Sequence, residues 1–167
     1  MFIKFNFKES LMPRPQKRRN IGKPPHAWSF KPVGIPASEL ETEIMTVDEY
    51  EAIRLADYEK MDHLEASEKM GISRPTFSRL IEKARNKVSI ALVEGKAIRI
   101  QGGNIDFEHT FYQCLRCGRV YKRCSLENGE EAYCPGCGSP EFREMNTLLG
   151  GRRRRHCHRG GHCGRKG

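Results

Sequence analysis

Four cysteines constrain this chain more than any other feature in it. Cys114 and Cys117 are two residues apart, Cys134 and Cys137 repeat that spacing, and sixteen residues separate the pairs. The thiolates of one Cys-x-x-Cys turn can converge on a single ion, and two such turns complete a closed tetrahedral four-sulfur site, the spacing of a zinc ribbon. A segment this short, with Tyr112, Val120, Tyr121, Tyr133 and Phe142 as its apolar stock, cannot bury enough surface alone. A bound Zn2+ is therefore expected to stabilise the module, predicted over 110–145, rather than to catalyse. Iron suits the same donors, and a redox-active dithiol pair is the alternative. Cys124, between the pairs, reads as a free or packing cysteine.

Helical punctuation fills the middle of the chain. Thr46 and Glu49 form a capping box, and Val47, Tyr50, Ile53 and Ala56 follow at helical spacing, predicting a helix over Val47–Tyr58. Asp62 and Glu65 repeat the cap and open a shorter helix that Gly71 closes. Ser73 caps a third, carrying Phe77, Leu80, Ile81, Ala84, Val88, Ala91 and Leu92 on one face until Gly95. Ala97 to Gln101 alternates like a short strand before Gly102 and Gly103, where a domain boundary is expected.

The second and third helices carry what a helix-turn-helix needs. Ala66 and Ser67 are small where the helices touch, Gly71 tolerates the turn, and Met70, Ile72, Phe77 and Leu80 form the inner face. Two core helices joined by a glycine is the plainer reading of the same pattern. Charge favours the first: Thr46 to Glu68 holds eight acids against two bases, and Lys69 to Arg99 eight bases against two acids. Ser73, Arg74, Thr76, Ser78 and Arg79 are candidates for the major groove of double-stranded DNA, with Lys83 on a phosphate. In the basic, proline-rich opening over 1–30, Arg14, Arg18 and Arg19 are candidates for minor-groove or phosphate contacts, a solubilising tail being the alternative. The segment from Phe30 to Leu40 suits an extended lead-in packed on the core.

Several words of the sequence together resemble a known family. They are Met-Pro-Arg-Pro at Met12 to Pro15, Lys-Pro-Val-Gly-Ile-Pro at Lys31 to Pro36, and Thr-Val-Asp-Glu-Tyr-Glu-Ala-Ile-Arg-Leu-Ala-Asp at Thr46 to Asp57. Ser-Arg-Pro-Thr-Phe at Ser73 to Phe77 and Gly-Lys-Ala-Ile-Arg-Ile-Gln-Gly-Gly at Gly95 to Gly103 complete the set. The chain resembles the prokaryotic family known as domain of unknown function 134, whose helix-turn-helix is similar to region 4 of bacterial sigma factors. The resemblance implies a sigma-region-4-like DNA-binding domain over 31–103. Two departures stand out: Met1 to Leu11 precedes the usual start, which makes Met12 a candidate initiator, and the cysteine often found near Asn20 to Gly22 is missing.

The end of the chain, 146–167, combines Arg152 to Arg155 with His156, Cys157, His158, His162 and Cys163 among glycines. A disordered basic arm on phosphates needs only charge, whereas a second metal site requires those five ligands to converge at an entropic cost. The arm is the preferred reading.

The predicted architecture is thus mostly α: a helix-turn-helix domain followed by a small zinc-ribbon β module and a disordered basic tail. The net charge of +9, from 30 bases and 21 acids, favours polyanionic partners. No stretch approaches the ~20 apolar residues of a membrane span, and Met1 to Leu11 is too short and charged for a secretory signal, so a cytoplasmic location is expected. With no phosphate loop and no nucleophile beside a base, a transcriptional regulator is expected rather than an enzyme, with RNA polymerase or another protein as a second partner. RNA binding and a metal- or redox-responsive regulator are the alternatives.

Overall fold

A computed structural model describes residues 17–122 and 133–150, and the backbone of 152–153. Arg14, Cys124 and the tail ligands His156, Cys157, His158, His162 and Cys163 lie outside the described residues. So does the tail beyond 153.

The helices start and stop where the caps predict. In α1, Val47–Ile53, the Glu49 carboxylate accepts the Thr46 amide at 2.8 Å, closing the capping box. A π-helical turn, Arg54–Tyr58, continues it. Asp62 caps α2, His63–Met70, by accepting the amides of Leu64 and Glu65, and Ser73 caps α3, Arg74–Glu94, which ends at Gly95. Val47, Leu55, Ala66, Met70, Phe77, Leu80 and Ile81 bring the three helices onto one buried cluster.

The strands are another matter. The described residues include β1 (Arg19–Ile21), β2 (Ser29–Phe30), β3 (Thr42–Met45), β4 (Ala97–Ile100), β5 (Ile105–Phe107), β6 (Phe111–Cys114), β7 (Val120–Lys122), β8 (Phe142–Glu144) and β9 (Arg152–Arg153), with α4 (Met145–Leu148) before the last. They form three three-stranded sheets, ordered β1-β5-β9, β2-β4-β3 and β7-β6-β8. Helix still outweighs strand, but the architecture combines α and β to a greater extent than a mostly α reading implies. Apart from β4, whose alternation the sequence showed, strands of two to four residues are too short to show a period of two, and most find partners far away in sequence.

Two of these pairings organise the molecule. Parallel strands require a long crossover, and the parallel pair β3 and β4, with Thr42 opposite Ala97 and Met45 opposite Ile100, takes all three helices as that crossover. Strand β1 pairs in parallel with β5, Arg19 opposite Ile105 and Ile21 opposite Phe107. Residues 17–30, expected to be part of a basic arm, are thus built into the fold: Ile21 is fully buried, and Pro24 and Pro25 are buried beside it. The lead-in differs as well, since Val33 is 99% exposed and Ile35 also faces solvent.

No boundary separates the core at Gly103. Ile105, Phe107, Phe111, Met145 and Leu149 belong to the same buried cluster as the helices. The Asn146 side chain, itself buried, accepts the Phe111 amide at 2.8 Å and donates to the His109 carbonyl at 2.8 Å. Arg143 lies over the ring of Trp28, 5.3 Å from its centroid, and ties β8 to the opening segment. Residues 146–150, assigned to the tail, help to close this core through Asn146 and Leu149.

Candidate nucleic-acid surface and metal centre

The turn between α2 and α3 is set by Gly71, which ends α2 in the left-handed region at φ 65°. Behind it, His63 rests edge-on against Phe77 and its Nδ1 lies 2.9 Å from the Ser78 hydroxyl. Ser73 and Thr76 pair their hydroxyls at 2.8 Å. Three of the candidate groove residues, Ser73, Thr76 and Ser78, are therefore already engaged in holding the start of α3.

The charges sort differently from their order in the chain. Asp48, Glu49 and Glu51, three of the eight acids between Thr46 and Glu68, are buried. Glu49, only 1% exposed, pairs with Lys87 at 2.7 Å and Lys83 at 3.2 Å, and Glu51 pairs with Arg54 at 2.7 Å. Burial pushes the Glu49 carboxyl up, but the Lys87 ammonium, the Thr46 amide and Lys83 outweigh it and hold it below its ordinary value. On the rim, Arg85 pairs with Asp57, whose carboxyl is lowered by that hydrogen bond.

Of the bases on α3, then, Lys83, Arg85 and Lys87 turn back onto the α1 side. Lys83 keeps 66% of its side chain exposed but leans on Glu49 rather than standing clear as a phosphate contact. Arg74 and Arg79 are exposed and form no ion pair with any described residue. Arg18 and Arg19 do not belong to this surface: Arg18 pairs with Asp106, and Arg19 with the buried Asp48. Burial draws the Arg19 guanidinium down, against the nearby Glu49 charge that raises it.

The cysteines converge. The sulfurs of Cys114, Cys117, Cys134 and Cys137 all lie within 4.8 Å of one another, and the pairs Cys114–Cys137 and Cys117–Cys134 stand at 3.5 Å. A tetrahedral ion with sulfurs at ~2.3 Å needs sulfur separations of about 3.8 Å, so the four sulfurs are close enough together to share one ion. Matching turns place them: Gly118 donates its amide to the Cys114 carbonyl at 2.9 Å, and Gly138 to that of Cys134 at 2.8 Å. Cys114 and Cys134 are buried and Cys117 is exposed.

Electrostatics match the geometry. The Cys117 amide lowers the Cys114 thiol. Burial pushes the Cys134 thiol up, but the Tyr121 hydroxyl at 3.4 Å, the Gly136 amide and the neighbouring sulfurs hold it down at about 6. Cys137 gains from an amide contact at Ser139, yet burial and the three surrounding sulfurs push it up to about 12. Four thiolates in so small a volume repel one another, and a multivalent cation removes that repulsion. The contribution of Tyr121 was not evident from the sequence, where its ring suggested only apolar packing.

Among the described residues no helix is long and apolar enough to cross a membrane. Residues 10–108 match the family described as protein of unknown function DUF134. The chain belongs to this family. A UPF0251 protein of Chloroherpeton thalassium is 49% identical over 140 residues, covering 84% of this chain and 91% of the relative. One from Moorella thermoacetica is 42% identical over 153 residues, covering 92% and 97%, and one from Thermoanaerobacter pseudethanolicus is 55% identical over 93 residues, covering 56% and 79%. No solved structure matches this DUF134 chain.

Proposed function

We propose that this DUF134 protein binds double-stranded DNA through α2 and α3 as a sigma-region-4-like helix-turn-helix, and acts as a transcriptional regulator. The observation that carries the reading is selective: three of the five bases on α3 are held by acids of the α1 side, while Arg74 and Arg79, on its first two turns, are left facing solvent. The amino-terminal turns of a recognition helix are the part that meets base edges, and arginine is the side chain best shaped for guanine. Ser73, Thr76 and Ser78 fix the helix start that presents them. RNA polymerase or another protein is the second partner this function calls for.

The four-cysteine centre serves this function structurally. Zn2+ is the ion of choice, because a closed four-sulfur tetrahedron is its ordinary structural site and offers no open position for chemistry. Cys114, Cys117, Cys134 and Cys137 would hold it, and the ion would fix the β6–β7–β8 sheet whose first residue, Phe111, enters the common core.

Selection from a random duplex pool, followed by titration of the enriched site at two salt concentrations, tests the reading. Arg79→Ala should cost about 1–3 kcal/mol and relax preference at one base position. Lys83→Ala should change affinity less, because its ammonium is already committed to Glu49. Absence of salt-sensitive binding to any duplex, or equal affinity for the Arg79 variant, would overturn it.

A further inference from the structure

A cleft of about 590 Å3 opens between the helical core and the cysteine-bearing sheet. Three ammonium groups line it, from elements distant in sequence: Lys23 after β1, Lys69 in the last turn of α2, and Lys122 at the end of β7. All three are exposed, and none forms an ion pair with a described residue. The remaining cation, Arg54, pairs with two acids, Glu51 and Glu59, which together outweigh it by one charge. Glu108 at the rim is the one acid of the lining that pairs with no described base.

The cleft lining thus holds four bases against three acids, a net charge of +1, and its three lysines pair with no described acid. Leu55, Phe111 and Val120 add an apolar lining, and Tyr121 an aromatic one. Its volume falls in the range of small-molecule sites, which bury an apolar body and fix it with a few charged groups. Lysines suit phosphate as mobile point charges, and a planar ring suits the Tyr121 side.

We propose that this cleft binds a phosphate-bearing small molecule with a planar ring, of the size of a mononucleotide. The phosphate is held by Lys23, Lys69 and Lys122, and the ring lies against Tyr121. Since the Tyr121 hydroxyl lies 3.4 Å from Cys134 Sγ, the ligand meets the helical core on one side and, on the other, a side chain that itself touches the metal-binding turn. The site is independent of the DNA reading and can fail or stand without it.

Calorimetric titration of the full metal-loaded chain, without DNA and at low salt, with inorganic pyrophosphate and with adenosine monophosphate tests this. Both probes should bind, the nucleotide more tightly. Lys69→Glu and Lys122→Glu should each weaken binding by about tenfold, a loss near 1.4 kcal/mol, with circular dichroism verifying the fold. Lys31→Glu, an exposed control away from the cleft, should leave it unchanged. No heat from either probe up to about 10 mM, a range that covers weak small-ligand affinities, overturns the site, as does equal weakening by the Lys31 change. Equal affinity for both probes overturns the aromatic half. If the Lys69 and Lys122 changes abolish duplex binding while neither probe binds, these lysines belong to a DNA footprint and the proposal falls.

Discussion

Glu49 is where two functions of one side chain meet. It caps α1 through the Thr46 amide, receives Lys87 and Lys83 from α3, and does so at 1% exposure. The cap was legible, because its partner is three residues away. The ion pair was not, because Lys87 lies 38 residues downstream and meets Glu49 only after the helices pack. Lys87 is itself mostly buried, at 15% exposure. Removing one partner of a buried pair leaves an uncompensated charge, so Glu49→Ala should destabilise the chain by about 3–5 kcal/mol, read from urea unfolding at neutral pH.

The same residue fixes a direction in pH. Its folded carboxyl lies below the ordinary value of 4.5, as does that of Asp57 below 3.8. The unfolded chain therefore takes up these protons first as pH falls. The associated stability is complete above the ordinary carboxylate range and disappears as pH drops through the folded values. The urea midpoint should hold from neutral pH to about 5 and fall below 4.5, and Glu49→Gln should flatten that fall. An equally steep acid loss in this variant would show that other carboxylates carry it.

At the scale of the element, the two glycine stops separate conformational cost from packing. Gly71 and Gly95 sit at nearly equal positive φ, 65° and 69°, but a Cβ at Gly71 would meet the Asn20 amide nitrogen at 3.0 Å, while at Gly95 it would meet nothing within 4 Å. Gly95→Ala should cost about 1–2 kcal/mol of left-handed strain. Gly71→Ala should cost more in thermal unfolding and also weaken duplex binding, by shifting the turn that aims α3. Equal melting temperatures for the two variants would mean that Asn20 yields freely. Caps, turn and apolar stripe made these helices readable, since each signal spans only three or four residues. β1, β2 and β3 were not readable, because their pairing depends on partners 55 to 86 residues away for which no local pattern exists.

The whole molecule ties the metal-binding turns to the helices. Phe111 and Met145, on either side of the cysteine loops, share a cluster with Val47 and Phe77. Chelation should therefore lower one cooperative melting transition rather than remove a separate minor one, and Cys114→Ser should reproduce the effect. Two resolved transitions in the metal-loaded chain would contradict the shared core. The cysteine quartet itself was fully legible, since the chemistry of a four-sulfur site dictates its spacing.

By itself the sequence determined the three helices, their turn and the four thiols, because each rests on interactions within a few residues or on a spacing that ligand geometry imposes. Only tertiary structure decided which cations remain available. The segregation of acids before Glu68 from bases after Lys69 looked like two opposed surfaces, yet packing α3 against α1 joined Glu49 to Lys87 and Asp57 to Arg85. It drew Arg18 and Arg19 into the fold and left Arg74 and Arg79 outward. A charge is spent or kept according to what lies within about 4 Å of it, and that distance is set by the fold rather than by position along the chain.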